Sequence, residues 1–194
     1  LLANGKVLVT GGWSGGALAS AELYNPATGT WSSAGNMSAA RYQHRAVLLN
    51  DGRVLVCGGM GNSGGTADAE IYNPATGSWS NAAPMLESRR YHSATVLNDG
   101  RVLVCGGFGA GYSSSAEIYD PATGVWSATT RMVGDRWRHT ATLLNDGRVL
   151  VTGGYNGSAL DGVEVYDPDT GYWSTQGSLP APVYGHAASL RPNG

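Results

Sequence analysis

Arg53-Val54-Leu55-Val56-Cys57-Gly58-Gly59, followed further on by Glu70-Ile71-Tyr72-Asn73-Pro74-Ala75-Thr76-Gly77-Ser78-Trp79, decides the fold of this chain, because both stretches recur. The Gly-Gly pair returns at Gly11-Gly12, Gly58-Gly59, Gly106-Gly107 and Gly153-Gly154, at spacings of 47, 48 and 47 residues. A Tyr-Asn/Asp-Pro-x-Thr-Gly-x-Trp segment follows each pair, at Tyr24 to Trp31, Tyr72 to Trp79, Tyr119 to Trp126 and Tyr166 to Trp173. A fixed period of this size means one supersecondary unit stacked on copies of itself.

Within residues 41 to 86 the pattern reads as four strands. Arg45 to Leu49 is a short apolar run ending at Asn50-Asp51-Gly52, a hairpin turn in which glycine accepts positive φ. Arg53 to Cys57 is apolar on both faces and is expected to be buried on both. A polar, glycine-rich loop runs from Met60 to Asp68. Glu70 to Tyr72 begins a third strand, Asn73 to Gly77 is a turn with proline presetting φ, and Trp79 opens a short fourth strand. Such a meander cannot stand alone. Radial stacking of copies, the β-propeller, hides faces and most edges together.

The composite pattern Arg-x-x-His-x-Ala, Asp-Gly-Arg-Val-Leu-Val-x-Gly-Gly, Glu-x-Tyr-Asp-Pro-x-Thr-Gly-x-Trp resembles the kelch repeat in the form common in bacterial proteins, over essentially the whole chain. The resemblance implies an all-β, kelch-type β-propeller of four four-stranded antiparallel blades in a single domain, residues 1–194. The repeats cover about 1–37, 38–85, 86–132 and 133–179. The first repeat lacks an inner strand, and residues 183–194, with His186 to Leu190 and Asn193-Gly194, spell a spare one. In kelch propellers a last strand of this kind completes the first blade and closes the ring. Three arrangements stay open: four blades closing within one chain, several chains sharing a larger ring as a homo-oligomer, or a segment of a longer protein. Leu1 in place of Met fits a mature, trimmed or excised fragment.

Composition narrows the function. The formal charge of -2 gives no basic field of the kind nucleic acid needs. No apolar run approaches the ~20 residues that span a bilayer, and no targeting segment is visible. Charged residues are 13% of the chain, about half the usual share, with one lysine, Lys6, against eleven arginines. Few charges and abundant Gly, Ser and Asn lean towards a bacterial cell-surface or secreted setting. Cys57 and Cys105 precede Gly-Gly pairs in a slot that Thr10 and Thr152 fill elsewhere, so two unbridged buried thiols are expected.

The recurring polar residues read first as scaffold. His44, His92, His139 and His186 are all the histidines of the chain, one per repeat. Four imidazoles about an axis are metal candidates, but their place early in inner strands points to structural roles between blades. Glu22, Glu70, Glu117 and Glu164 recur two residues before each Tyr, and Arg41, Arg89 and Arg136 stand three before a His, with Val183 in the last copy. These are expected to pair across each blade, since a buried charge needs a partner. Lys6, Arg53, Arg101 and Arg148 read as a solvated rim. The repeated Trp31, Trp79, Trp126 and Trp173 and their tyrosines read as interblade packing.

What varies is the loop face. It gathers Trp13, Arg41, Tyr42, Arg89, Arg90, Tyr91, Phe108, Tyr112, Arg136, Trp137, Arg138, Tyr155 and Tyr184. Arginine and aromatics are the types enriched at binding hot spots, and aromatic platforms also suit sugars. The expected function is a non-catalytic module that binds a protein or glycan there, without a cofactor. Two other readings are an enzyme or enzyme fragment with its site at the channel mouth and a structural unit that assembles into a larger propeller. Tyr91-His92 is similar to a Tyr-His copper-ligand pair in the galactose oxidase propeller, over one blade only. That family also uses a Cys-crosslinked tyrosine and a histidine from outside the propeller, and neither can be located here. No Ser-His-Asp, Cys-His, zinc or phosphate-loop signature appears, and the Gly-Gly pairs open no helix that could cradle phosphate.

Overall fold

The computed structural model describes residues 1–191, all in strands, turns and loops. The chain divides into two compact units, Leu1–Ser88 and from Arg89 onward. The first unit holds a three-stranded sheet, β1 (Val7–Thr10), β2 (Ser20–Asn25) and β3 (Thr30–Asn36). Beside it is a four-stranded sheet in the order β4 (Arg45–Leu48), β5 (Val54–Cys57), β8 (Ala69–Asn73) and β9 (Ser78–Ala82). The polar, glycine-rich loop after Gly59 forms a two-stranded ribbon of β6 (Met60–Gly61) and β7 (Gly64–Gly65). The second unit holds β10 (Ser93–Val96), β11 (Val102–Cys105), β12 (Ala116–Asp120) and β13 (Val125–Ala128) in one sheet. Its other sheet is β14 (Thr140–Leu143), β15 (Val149–Thr152), β16 (Leu160–Asp167) and β17 (Tyr172–Val183). All pairings are antiparallel and join consecutive strands, except that β5 pairs with β8 across the β6–β7 ribbon.

Each repeated motif has a local cause. Asn73 Oδ1 accepts from the Ala75 N–H at 2.9 Å, and Gly77, at φ 67°, donates its N–H to the Asn73 carbonyl at 2.8 Å. That side-chain-capped turn brings Tyr72 directly opposite Trp79, with ring centroids 5.0 Å apart. The same cross-strand pair recurs at Tyr24–Trp31, Tyr119–Trp126 and Tyr166–Trp173. Opposed aromatic pairs are the unit of sheet stabilisation.

The Gly-Gly pair is a steric requirement. A Cβ on Gly106 would lie 2.5 Å from the Arg136 carbonyl oxygen and 2.7 Å from the His139 ring. Gly11 and Gly153 stand in the same relation to Arg41 and His44 and to Val183 and His186. On the other side, a Cβ on Gly107 would meet the Arg90 carbonyl at 2.8 Å. The pair is therefore squeezed between the segment leading into its own inner strand and the one leading into the next repeat. Buried Met37 and Met132 approach the first glycine of the same pairs, a regularity the sequence reading did not use.

Two departures from expectation concern the chain ends. β5 and β11 are buried along their whole length, whereas β1 is only partly covered, with Val9 44% exposed. Trp79 and Trp173 donate their indole N–H to the carbonyls of Ala34 and Thr130 in the preceding repeat, each at 2.9 Å. Trp126 is buried, but Trp31 is 57% exposed, so its expected packing role is not met. The outer strand β17, expected to be short, runs for 12 residues and ends at Val183 paired with Leu160. Residues 184–191 carry no strand, and the Asn193-Gly194 turn lies outside the described residues.

Candidate binding face

The expected Arg–Glu pairs are present and lie in the scaffold. Arg136, 3% exposed, donates through Nη1 to the carbonyls of Gly153 (2.9 Å) and Gly162 (3.0 Å) and through Nη2 to Glu164 Oε1 (2.5 Å). Glu164 also accepts the N–H groups of Val133 and Gly134. Arg41–Glu70 and Arg89–Glu117 repeat the arrangement. Arg41, Arg89 and Arg136 are thus corrected from ligand-face candidates to buried pins: each guanidinium is consumed in holding the first glycine carbonyl to the third strand. Glu22, whose sequence partner would be Val183, is exposed.

The histidines also belong to the joints between repeats. His44 Nε2 lies 2.9 Å from Thr10 Oγ1, His139 Nε2 lies 2.9 Å from Ser93 Oγ and 3.8 Å from Cys105 Sγ, and His186 Nε2 lies 3.0 Å from Thr152 Oγ1. Thr10, Cys105 and Thr152 of that slot are therefore each the seat of the next repeat's histidine. Burial, with the nearby Arg41 and Arg45 charges adding to it, lowers the His44 pKa to about 4. Burial pushes the Cys105 thiol up to about 11, and neither Cys57 nor Cys105 is in a disulfide. Among the described residues no three His, Cys, Asp or Glu side chains are grouped to hold a metal ion. His92 is fully buried.

The residue before each histidine has left-handed backbone: Gln43 (φ 58°), Tyr91 (φ 53°), Arg138 (φ 54°) and Gly185 (φ 64°). For a non-glycine residue this costs about 1–2 kcal/mol. In the second unit the bends are tied together: the Arg138 N–H donates to the Tyr91 carbonyl (3.0 Å) and the Gly185 N–H to the Arg138 carbonyl (2.8 Å). Strain of this kind persists where the surroundings impose it, and it concentrates at functional sites. Its effect is to turn the Tyr91 and Arg138 side chains to the loop face. One residue earlier, Arg90 and Phe108 exchange both main-chain hydrogen bonds, as do Trp137 and Tyr155, and Tyr42 and Met60 in the first unit.

These bends and bridges assemble one continuous cluster in the second unit. Trp137 is its centre, 5.0 Å from Tyr91, 5.5 Å from Phe108, 6.2 Å from Tyr112 and 6.3 Å from Tyr155 between centroids. Tyr155 continues to Tyr184 at 5.2 Å. Arg138 lies over Tyr91 (4.3 Å) and Trp137 (4.8 Å) and donates from Nη2 to the Tyr91 hydroxyl at 2.9 Å. Arg90 lies over Phe108 at 4.9 Å. Each edge-on or tilted aromatic pair contributes about 0.5–1.5 kcal/mol, and each stacked guanidinium a similar amount. The face is therefore rigid without being buried: Tyr112 and Tyr184 are 38% and 50% exposed and the other rings are partly covered. Eight of the candidate residues thus come together, while Trp13 and Tyr42 form a separate pair at 4.9 Å in the first unit. The Tyr91 hydroxyl, a copper-ligand candidate by resemblance, is occupied by Arg138.

Comparison with known proteins agrees with this architecture. The KLHDC2/KLHL20/DRC7 Kelch-repeats domain matches residues 1–193. The structure of YjhT is similar over 92% of this chain with a TM-score of 0.74 and 19% identity, a likeness of fold alone, and the chain spans 64% of that structure's length. No curated protein matches the sequence.

Proposed function

The chain belongs to the kelch-repeat family, and we propose that it is a non-catalytic interaction module whose second unit binds a protein segment on the Arg/aromatic face. The observation that carries this reading is the unbroken run of six rings, Tyr91, Phe108, Tyr112, Trp137, Tyr155 and Tyr184, stapled by Arg90 and Arg138. Trp, Tyr and Arg concentrate binding energy because they combine large contact area with few rotors and directed hydrogen bonds. Here the rotors are already fixed by stacking, so little order remains to be imposed on binding. The residues with catalytic chemistry have other duties. His44, His139 and His186 seat on hydroxyls, Cys105 is a buried neutral thiol, and the carboxylate–guanidinium pairs are locked into the blades. Kelch-repeat domains commonly bind proteins, which supports a protein partner over a sugar.

The test is parallel selection from a random peptide display library and screening on a glycan array. The native chain is compared with Trp137→Ala/Arg138→Ala. A peptide motif enriched by the native chain and lost by the variant is expected. Glycan signals with that same dependence would reassign the ligand to carbohydrate, and no selective binding of either kind would overturn the reading.

A further inference from the structure

Three of the loops that follow Gly-Gly end in the same tip. Ser14 donates its N–H to the Gly16 carbonyl (3.0 Å), Gly109 to that of Gly111 (3.0 Å) and Asn156 to that of Ser158 (3.1 Å). A bridge closes each tip, Trp13 with Ala17, Phe108 with Tyr112 and Tyr155 with Ala159. The tip is a feature of the scaffold, and the residues on it vary. Of the three, only the last puts an amide side chain in the first tip position, and a glycine follows it. Asn156 and Gly157 are both exposed. Gly157 has φ 113°, and a Cβ built on it would meet nothing within 4 Å. Among the described residues nothing accepts its N–H.

We propose that Asn156 is a self-modifying residue, which converts to aspartate or isoaspartate and places a carboxylate next to Tyr155 on the aromatic face. The Gly157 nitrogen gives its proton to solvent hydroxide and attacks Cγ of Asn156. The Cγ–Nδ2 bond breaks, and Nδ2 leaves as ammonia after taking a proton from water. Water then adds to one of the two carbonyls of the resulting succinimide. Cleavage of the Cγ–N bond gives aspartate, and cleavage at the main-chain carbonyl gives isoaspartate. One water enters, one ammonia leaves, and nothing is oxidised or reduced. Glycine favours the attack because no side chain shields the nitrogen or restricts the turn that brings it to Cγ. The tip is spanned by a single main-chain bond, Asn156 to Ser158, whereas the stem below is fixed. There Leu160 donates to Gly154 (2.8 Å), and Trp137 and Tyr155 exchange bonds of 3.1 and 3.0 Å.

The residue pair alone does not select this site. Asn4-Gly5 is identical, but there Asn4 Oδ1 accepts the Lys6 N–H (3.1 Å) and the Gly5 N–H donates to the carbonyl of buried Leu2 (3.0 Å). Both groups that must meet are already engaged. Conversion at Asn156 adds one negative charge to a chain of formal charge -2, on a face that carries Arg90 and Arg138. Isoaspartate also lengthens the main chain by one carbon between Tyr155 and Ala159. An effect on ligand binding rests on the function proposed above, whereas the conversion itself does not.

The test holds the native chain at mildly alkaline pH beside a sample unfolded in guanidinium chloride. Tandem mass spectrometry of chymotryptic peptides follows the gain of one mass unit at each asparagine. In the native chain Asn156 should convert many times faster than Asn4, and its peptide should split into aspartate and isoaspartate forms. In the unfolded chain the two rates should converge, because the reacting pair is the same. Asn156→Gln should abolish the gain at the tip with an unchanged circular dichroism spectrum, since the longer side chain disfavours the ring. Equal rates at Asn156 and Asn4 in the native chain would overturn the selection by the fold. An Asn156 that stays unchanged in the native chain would overturn the proposal itself. Neither result touches the ligand-binding reading, which the Trp137→Ala/Arg138→Ala comparison tests separately.

Discussion

Replacing Glu164 by glutamine keeps the side-chain shape and removes the charge that Arg136 is held by. Arg136 and Glu164 have side chains only 4% and 2% exposed, so water cannot stand in for the lost partner. The guanidinium keeps its bonds to the Gly153 and Gly162 carbonyls but loses its counter-charge. The N–H groups of Val133 and Gly134, which Glu164 accepts, must then share the single amide oxygen with Arg136. Breaking a buried ion pair from one side costs about 3–5 kcal/mol, and we expect Glu164→Gln at the lower end because the amide retains one acceptor. The assay is urea unfolding followed by tryptophan fluorescence. Exposed Glu22→Gln serves as the in-family control and should stay within about 0.5 kcal/mol. Pairing Glu164→Gln with Arg136→Met should give a double variant that loses about 2 kcal/mol less than the sum of the singles, the coupling expected of groups in direct contact. A Glu164→Gln loss below about 1 kcal/mol, or singles that simply add, would refute the view that these pairs pin the blades.

Gly106→Ala should cost at least about 2 kcal/mol, since the methyl must sit in left-handed backbone and 2.5 Å from the Arg136 carbonyl; a melt unchanged from native would refute the close approach. His44 has a folded-state pKa of about 4 against an ordinary 6.5, so the unfolded chain binds the proton more readily. Its contribution is fully present above pH 6.5 and is lost as pH falls towards 4, up to about 3 kcal/mol. The stability gap between native chain and His44→Gln should therefore narrow over that window, and a gap constant with pH would count against a buried neutral ring. At Arg138, glycine relieves the left-handed strain that alanine keeps, so Arg138→Gly should be about 1 kcal/mol more stable than Arg138→Ala, while both weaken ligand binding; equal stabilities would deny the strain.

The sequence by itself determined the repeat, the strand order inside each blade and the family. Those depend on local chemistry: Asp-Gly and Asn-Pro-x-Thr-Gly turns set φ, and alternating or continuous apolar runs set burial. It also predicted that Arg41, Arg89 and Arg136 would meet Glu70, Glu117 and Glu164, because two periodic series of opposite charge at fixed offsets must meet in every copy. Yet the same arginines stood among the ligand candidates, and only packing separated them from Arg90 and Arg138. Neighbours in sequence, Arg89 and Arg90 go to opposite fates because one points along the blade and the other over Phe108. The left-handed bends at Tyr91 and Arg138 had no signal of their own, since Gln, Tyr and Arg are ordinary residues whose positive φ the surroundings impose; Gly185 in the fourth copy was the one hint. Tertiary structure alone decided that Trp31 and Trp126, identical in motif, differ in burial, because an indole is covered by residues distant in sequence, as Trp79 is at the Ala34 carbonyl and Trp173 at that of Thr130, and no motif encodes its neighbour.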